Sequence, residues 1–161
     1  MTFTTADLCD KHASATHFQI VEPIFKYFGT KAAFSGKIST VKAFEDSVLI
    51  GQILAETVTQ RILVIDGGGS HRCALLDYDL INTAYQKGWQ GIIIYGCLRN
   101  TDKINQLPIG IRALHAHPLK SHNKGTGERD NPINFAGTQF KTDHYLYADN
   151  DGIVISQTSL L

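Results

Sequence analysis

Two runs of aliphatic residues constrain the fold of this 161-residue chain more than any other feature. Residues 61–65 read RILVI, and Gly91–Leu98 reads GIIIYGCL. Continuous runs of this kind are typical of strands buried on both faces. Between them lies a glycine turn, followed by apolar residues at helical spacing, namely Cys73, Leu76, Leu80 and Ala84. This pattern predicts a helix that ends near Gly88, its predicted C-cap. The order strand, turn, helix, strand predicts a βαβ unit with parallel strands and a right-handed crossover.

Weaker patterns on either side of this unit complete the expected secondary structure. The segment ADLCDKH predicts a short helix with Thr5 as N-cap, and residues 46–57 predict a second helix capped by Asp46. The alternation in FSGKISTVKAF indicates a strand or a hairpin after Gly36. INFAGTQF, HYLYAD and GIVIS indicate short antiparallel strands with a turn at residues 149–152. We therefore predict an α/β fold in one domain, residues 1–161.

Composition excludes several classes of protein. Fifteen basic and fifteen acidic residues give a net charge of zero, which disfavours direct recognition of nucleic acid. No apolar run is long enough for a membrane helix, and the N-terminus lacks the pattern of a secretory signal. The three cysteines include no CxxC pair, so we expect free thiols in a cytoplasmic protein.

The most informative candidate site combines the glycine turn with a single cation. We expect the backbone N–H groups of Gly67, Gly68, Gly69 and Ser70 to open a helix N-terminus, which is a favourable place for an anion. Arg99 follows the second strand and carries a planar fork suited to a carboxylate or phosphate. Together they predict a small anion pocket at the carboxyl edge of the sheet. The alternatives are a purely structural turn, which matches no nucleotide motif, and a salt-bridged structural arginine.

Other candidates have less support. His115 and His117 could share one face of a strand, but no further metal ligands accompany them at a recognised spacing. The DNDG segment at residues 149–152 lacks the later glutamate of a calcium loop, so a turn is the better interpretation. Ser70 has no evident base, and Cys73 and Cys97 are expected to pack in the core.

A family resemblance covers essentially the whole chain. The segments VEPIFKYFG, FSGKISTVKAFED, VIDGGGSHRCALLD, GWQGIIIYGCLRN, IGIRAL and HYLYADNDGIVIS resemble the RraA family, named for regulators of ribonuclease E activity. The resemblance implies a swivelling β/β/α fold and a ring-shaped homotrimer in the cytoplasm. It also implies one of two functions. Some members are class II aldolases that cleave 4-hydroxy-4-methyl-2-oxoglutarate and decarboxylate oxaloacetate, whereas others bind ribonuclease E or its degradosome scaffold and inhibit RNA turnover.

The aldolase members carry a Gly-Asp-x-Leu segment and an Arg-Asp pair, in which the arginine holds the substrate carboxylate and the aspartate binds Mg²⁺ or Mn²⁺. This chain keeps the arginine as Arg99 but has Asn100 in place of the metal-binding aspartate. Its helical segment reads Asp77, Tyr78, Asp79 and Leu80, so Tyr78 replaces the acidic residue and Asp77 the glycine. A neutral amide is a poorer ligand for Mg²⁺ than a carboxylate.

These departures favour a regulator that inhibits a ribonuclease E-type endonuclease through protein contacts and needs no cofactor. The alternative is a divalent-metal-dependent aldolase or oxaloacetate decarboxylase, for which Asp77, Asp79 or Asp102 would have to supply the missing carboxylate. A small carboxylate ligand could occupy the pocket in either case. Methyl transfer in quinone synthesis, a third function linked to such sequences, has no methyl-donor fingerprint here.

Overall fold

The computed structural model describes residues 2–161, which form four α-helices and twelve β-strands. The helices are α1 (Thr5–His12), α2 (Val48–Leu54), α3 (Tyr78–Gln86) and α4 (Thr101–Ile104). The strands are β1 (Phe18–Ile20), β2 (Lys26–Phe28), β3 (Phe34–Lys42), β4 (Arg61–Asp66), β5 (Ala74–Leu76), β6 (Gly91–Leu98), β7 (Gly110–Ala116), β8 (Glu128–Arg129), β9 (Ile133–Phe135), β10 (Thr138–Phe140), β11 (Tyr145–Ala148) and β12 (Ile153–Ser156).

A ten-stranded mixed sheet forms the centre of the molecule. Its main path runs β1-β12-β11-β3-β4-β6-β7-β2, with β5 paired to β6 and β8 paired to β3. The four strands β3, β4, β6 and β7 pair in parallel, whereas β11, β12, β1 and β2 add antiparallel strands on the two sides. The α/β class and the antiparallel C-terminal third are therefore confirmed.

Strand β4 shows why its sequence is continuously aliphatic. Leu63 and Ile65 pack on one face of the sheet with α2 and α3, while Ile62 and Val64 pack on the other with the β9–β10 hairpin. All four side chains are fully buried. Because successive side chains of a strand point to opposite faces, a strand covered on both sides needs apolar residues at every position. The predicted pairing of this strand with β6 is confirmed as parallel.

The helix predicted from Cys73 begins later, at Tyr78. Gly68 and Gly69 have φ values of 72° and 71°, a left-handed conformation that cannot start a right-handed helix. The next residues instead form β5, whose Ala74 exchanges backbone hydrogen bonds with the chain near Leu119 and Ser121. The prediction that residues 67–70 open a helix N-terminus is therefore wrong, because the three buried residues of β5 intervene.

The cap of α1 also differs from the prediction. Thr4, not Thr5, is the N-cap, and its Oγ1 accepts a hydrogen bond from the N–H of Asp7 at 3.0 Å. Thr5 binds Asp149 instead, donating from its N–H at 2.7 Å and from its Oγ1 at 2.6 Å. The predicted turn at residues 149–152 is confirmed, since the N–H of Asp149 donates to the carbonyl of Gly152 at 3.0 Å. This carboxylate thus ties the first helix to the turn between β11 and β12.

Asp46 anchors a long loop beside α2. Ser47 is the formal N-cap of α2, but Asp46 Oδ1 accepts from the N–H of Val48 at 3.1 Å. Its Oδ2 accepts from the N–H groups of Lys124 and Thr126 and from Thr126 Oγ1, each at 3.0 Å. Burial by itself would raise the pKa of Asp46, but these hydrogen bonds outweigh it and hold the pKa below its usual value. The carboxylate therefore fixes the loop after β7 against the start of α2.

Replacing Asp46 with Asn tests this anchor. At neutral pH the variant is expected to lose about 1–3 kcal/mol of unfolding free energy, because buried N–H groups lose a charged acceptor. A depressed folded-state pKa stabilises the fold above the unfolded-state value of about 3.9, and the contribution is lost as the pH falls through the folded-state pKa. In urea unfolding, the free energies of the native chain and the variant should therefore differ at neutral pH and converge as the pH falls below the folded-state pKa of Asp46.

The matched control is Asp10→Asn, which removes an exposed carboxylate from α1 and should change the unfolding free energy little. A stability loss for Asp46→Asn that does not depend on pH would contradict the anchoring role of the ionised carboxylate.

Candidate functional site

The end of β6 and the start of α3 meet at the carboxyl edge of the parallel strands. The backbone N–H of Arg99 donates to the carbonyl of Leu76, the last residue of β5, at 3.0 Å. Since α3 begins two residues after β5, this bond places Arg99 beside the helix N-terminus. Ligands in open parallel sheets collect at this edge.

Arg99 carries a guanidinium whose donors are largely unused. Its side chain is 31% exposed, and Nη1 donates one long hydrogen bond of 3.4 Å to the carbonyl of Pro118. Nη2 lies 4.0 Å from Asp77 Oδ2, and Nε is buried without a hydrogen-bond partner. A guanidinium offers five N–H donors, and only one long hydrogen bond uses them here, so both Nη groups of Arg99 retain donors for a ligand.

Three other arginines in the chain make the short contacts that are typical of an arginine with a structural role. Arg61 donates hydrogen bonds of 2.7–2.8 Å to Ser39, to the carbonyl of Ile38 and to Asp143. Arg129 donates two hydrogen bonds to Glu56, of 2.7 and 3.1 Å. Arg112 also leaves Nε without a partner, but it donates to three carbonyls and stacks 3.9 Å from the ring centre of Tyr27. Arg99 has none of these short contacts.

The start of α3 is capped by side chains of the site itself. Asp77 is the N-cap, and its Oδ1 accepts from the N–H of Leu80 at 3.0 Å. Asn100 Oδ1 accepts from the N–H of Tyr78 at 3.1 Å. Asn100 has φ 63° and ψ 42°, a left-handed conformation that asparagine tolerates better than most residues. Asn100 therefore joins the start of α4 to the start of α3.

A cavity of about 410 Å³ opens at this place. Asp77, Asp79 and Leu80 form one wall. The remaining lining comes from α2 and its cap and from the loop after β7, namely Ser47, Val48, Gly51, Lys120 and Asn123. Sequence reasoning missed the loop residues, because no periodicity or motif connects them to α3. Asp46 holds the same loop at Lys124 and Thr126, and Ala74 pairs with it at Lys120.

A larger cavity of about 550 Å³ lies elsewhere, beside Lys31, Gln60 and Gln90. Burial lowers the pKa of Lys31, whose ammonium donates to Gln90. This cavity lies away from the carboxyl ends of the parallel strands, because Gln60 and Gln90 directly precede β4 and β6. We therefore assign the candidate site to the smaller cavity, which adjoins Arg99 through Asp77.

The glycine turn does not contact Arg99. The N–H groups of Gly67 and Gly69 both donate to the carbonyl of Tyr95, earlier in β6, and a side chain at Gly68 would strike the ring of Phe44. Ser70 Oγ donates to Glu45 Oε2 at 2.7 Å. Hydrogen bonds from Arg72 and Ser70 hold the pKa of Glu45 below its usual value. The predicted convergence of residues 67–70 with Arg99 is therefore wrong, and the start of α3 takes the place of the glycine turn.

The remaining predicted residues have local partners. His115 Nδ1 accepts from the N–H of Ala116 at 2.8 Å, and His117 Nδ1 accepts from the N–H of Leu119 at 3.1 Å. Cys73 and Cys97 are buried as expected, with raised pKa values caused chiefly by burial. All three cysteines are free thiols.

The site residues do not fit a divalent cation in the way the aldolase members of the family would hold one. Asn100 offers a neutral oxygen that already accepts the N–H of Tyr78, and Asp77 is engaged with Leu80 and Arg99. Among residues 2–161, no three His, Cys, Asp or Glu side chains come together as a potential metal site. Hard cations such as Mg²⁺ favour ionised carboxylates, and no free one stands at Asn100.

Within residues 2–161, no helix combines the length and the apolar character needed to cross a bilayer.

Comparison with known proteins identifies the family of this chain. Residues 5–155 match the RraA-like family model, described as Aldolase/RraA. A Methylococcus capsulatus protein named "Putative 4-hydroxy-4-methyl-2-oxoglutarate aldolase" is 57% identical over the full length of both chains. A Thermus thermophilus structure described as the RNA-processing inhibitor RraA is 36% identical, with a TM-score of 0.93 and coverage of 100% of this chain and 98% of that one.

A Geobacillus kaustophilus structure described as an S-adenosylmethionine:2-dimethylmenaquinone methyltransferase is 40% identical. Its TM-score is 0.94, and the match covers 98% of this chain and 97% of that one. Three different functions are therefore attached to relatives with the same swivelling β/β/α fold. The chain belongs to the RraA-like family.

Proposed function

We propose that this chain is a lyase that releases pyruvate from a 2-oxo acid of the 4-hydroxy-4-methyl-2-oxoglutarate type. The observation that carries the proposal is the unused hydrogen-bonding capacity of Arg99 beside the N-terminus of α3. The name given to the relative with 57% identity supports this function over the inhibitor that the sequence alone favours.

The residues of the site have a limited but defined role in such a reaction. Arg99 binds the carboxylate of the 2-oxo acid through paired N–H···O bonds. The positive end of the α3 dipole and the ammonium of Lys120 on the cavity wall add positive potential for the negative charge that develops on cleavage. When the carbon–carbon bond of 4-hydroxy-4-methyl-2-oxoglutarate breaks, the C4 hydroxyl loses its proton and becomes the keto group of one pyruvate. The electron pair of the broken bond stays on the other fragment as an enolate, which takes up a proton to give a second pyruvate. Because the residues present do not fit a metal, no step is assigned to one.

A coupled assay for pyruvate tests this function. With oxaloacetate or 4-hydroxy-4-methyl-2-oxoglutarate as substrate, the native chain is expected to release pyruvate faster than the spontaneous reaction. Arg99→Met should lower kcat/KM by roughly 100-fold, because the carboxylate loses its bidentate partner. Arg129→Met is the matched control, since Arg129 pairs with Glu56 away from the site. No release above background, with or without Mg²⁺ or Mn²⁺, would contradict the proposal.

Because the neutral amide of Asn100 is a poor ligand for a divalent metal, substitutions at this position give a separate prediction. Asn100→Asp is expected to raise the affinity for Mn²⁺ by at least about tenfold, alone or with Tyr78→Asp, because a carboxylate replaces a neutral amide. Aspartate also tolerates the left-handed backbone at this position, so the variant should fold. Titration calorimetry with Mn²⁺ measures the change. If neither variant gains affinity, these positions do not correspond to the metal-binding positions of the family.

A second candidate function is inhibition of a ribonuclease E-type endonuclease. It is favoured by the neutral Asn100 and by the likeness to the structure described as an RNA-processing inhibitor. In this proposal a homotrimer in the cytoplasm binds the ribonuclease or a degradosome protein through polar surface contacts.

The second candidate is tested with purified ribonuclease E and a labelled RNA substrate. The native chain should slow cleavage and associate with the enzyme, and Arg99→Met should inhibit as well as the native chain because most of the Arg99 side chain is buried. Unchanged cleavage at a molar excess of the chain would contradict this function.

A further inference from the structure

The carboxylate of Asp77 lies where an acidic ligand of Arg99 would bind. Asp77 Oδ2 is 4.0 Å from Arg99 Nη2, and both side chains are largely buried, with 20% and 31% of their surfaces exposed. Asp77 Oδ1 is held by the N–H of Leu80 at 3.0 Å. This second bond fixes the carboxylate, so that its other oxygen faces the guanidinium.

The position of Asp77 matters because of how a guanidinium binds carboxylates. It can form two parallel hydrogen bonds through its Nη1/Nη2 edge or through its Nε/Nη2 edge. Both edges include Nη2, the nitrogen that faces Asp77. On the Nη1 side the carbonyl of Pro118 accepts a hydrogen bond, and Nε has no partner. A carboxylate that grips Arg99 with two bonds must therefore displace Asp77 or bind against its negative charge.

We infer that Asp77 is a built-in competitor that sets the affinity of Arg99 for small carboxylates. The inference deepens the proposed lyase function and rests on its assignment of Arg99 as the carboxylate-binding residue. The ligand class is a small 2-oxo carboxylate such as pyruvate, which is the product that the proposed reaction releases. Asp77 thereby lowers occupancy of the site and favours release of a pyruvate-like product.

Asp77→Asn tests the competition without removing the helix cap. Asparagine caps helix N-termini about as well as aspartate, so the start of α3 should persist while the charge is lost. Titration calorimetry with pyruvate, with and without Mn²⁺, should show about tenfold tighter binding to Asp77→Asn than to the native chain. In the double variant Asp77→Asn/Arg99→Met the gain in pyruvate affinity should disappear, because both substitutions act on the contact between Asp77 and Arg99.

The control is Asp102→Asn, which removes the same charge from the first turn of α4. In the described structure Asp102 makes no ion pair with Arg99, so the affinity for pyruvate should stay within about twofold of native. Equal affinity of the native chain and Asp77→Asn would overturn the inference, as would a gain that survives removal of Arg99 or is matched by Asp102→Asn.

Pyruvate release by the same variants separates this inference from the proposed function. Tighter pyruvate binding by Asp77→Asn with no release by any variant would support the competition and contradict the lyase. Release by the native chain with no change in pyruvate affinity would support the lyase and overturn the role of Asp77.

Discussion

The parallel pairing of β4 with β6 is the constraint on which the site depends. The two strands are buried on both faces, so their register and direction are fixed by the packing of aliphatic side chains against helices on one side and the β9–β10 hairpin on the other. Parallel pairing sends their carboxyl ends to the same edge. The start of α3 lies at that edge, and the chain leaves β6 at the same edge with Arg99.

Much of this arrangement could be predicted from the sequence, because it is encoded in local patterns. The aliphatic runs identify β4 and β6, and the connecting helix ends one residue earlier than predicted, with Lys87 as its C-cap and Gly88, at φ 97°, directly after it. The start of that helix could not be predicted, since Leu76 falls at helical spacing with Leu80 and Ala84 but belongs to β5, which pairs with β6. A short buried strand and a helical turn have the same apolar composition, and only tertiary pairing distinguishes them.

The candidate site could be predicted only in part, because some of its residues are brought together by tertiary contacts rather than by local sequence patterns. Arg99 follows directly from the end of β6, and the importance of Asp77, Tyr78 and Asn100 follows from the family resemblance. Lys120 and Asn123 lie on a loop that is held by the carboxylate of Asp46 and by backbone hydrogen bonds to Ala74 and Glu45, all far away in sequence. The glycine turn illustrates the opposite error. Its residues suit an anion site in isolation, but the N–H groups of Gly67 and Gly69 donate to the carbonyl of Tyr95, and that of Gly68 donates to Asp66.

The contacts of Arg99, Asn100 and Asp77 are consistent with more than one of the functions found in the family. Arg99 retains free donors, which suits a carboxylate ligand. Asn100 and Asp77 use their oxygens on the backbone of α3, and Asp77 also faces the guanidinium. Donors that suit a carboxylate are thus present at Arg99, while the oxygens of Asn100 and Asp77 already have partners within the protein.

The central claim is that the guanidinium of Arg99 binds the carboxylate of a 2-oxo acid. Nitrogen-15 NMR of the arginine Nε–H groups during a pyruvate titration tests it most directly, with the Arg99 signal assigned by its loss in Arg99→Met. A saturable shift of the Arg99 Nε–H resonance, with those of Arg61 and Arg129 unchanged, is the predicted result. An Arg99 resonance that stays in place at saturating pyruvate would contradict the claim.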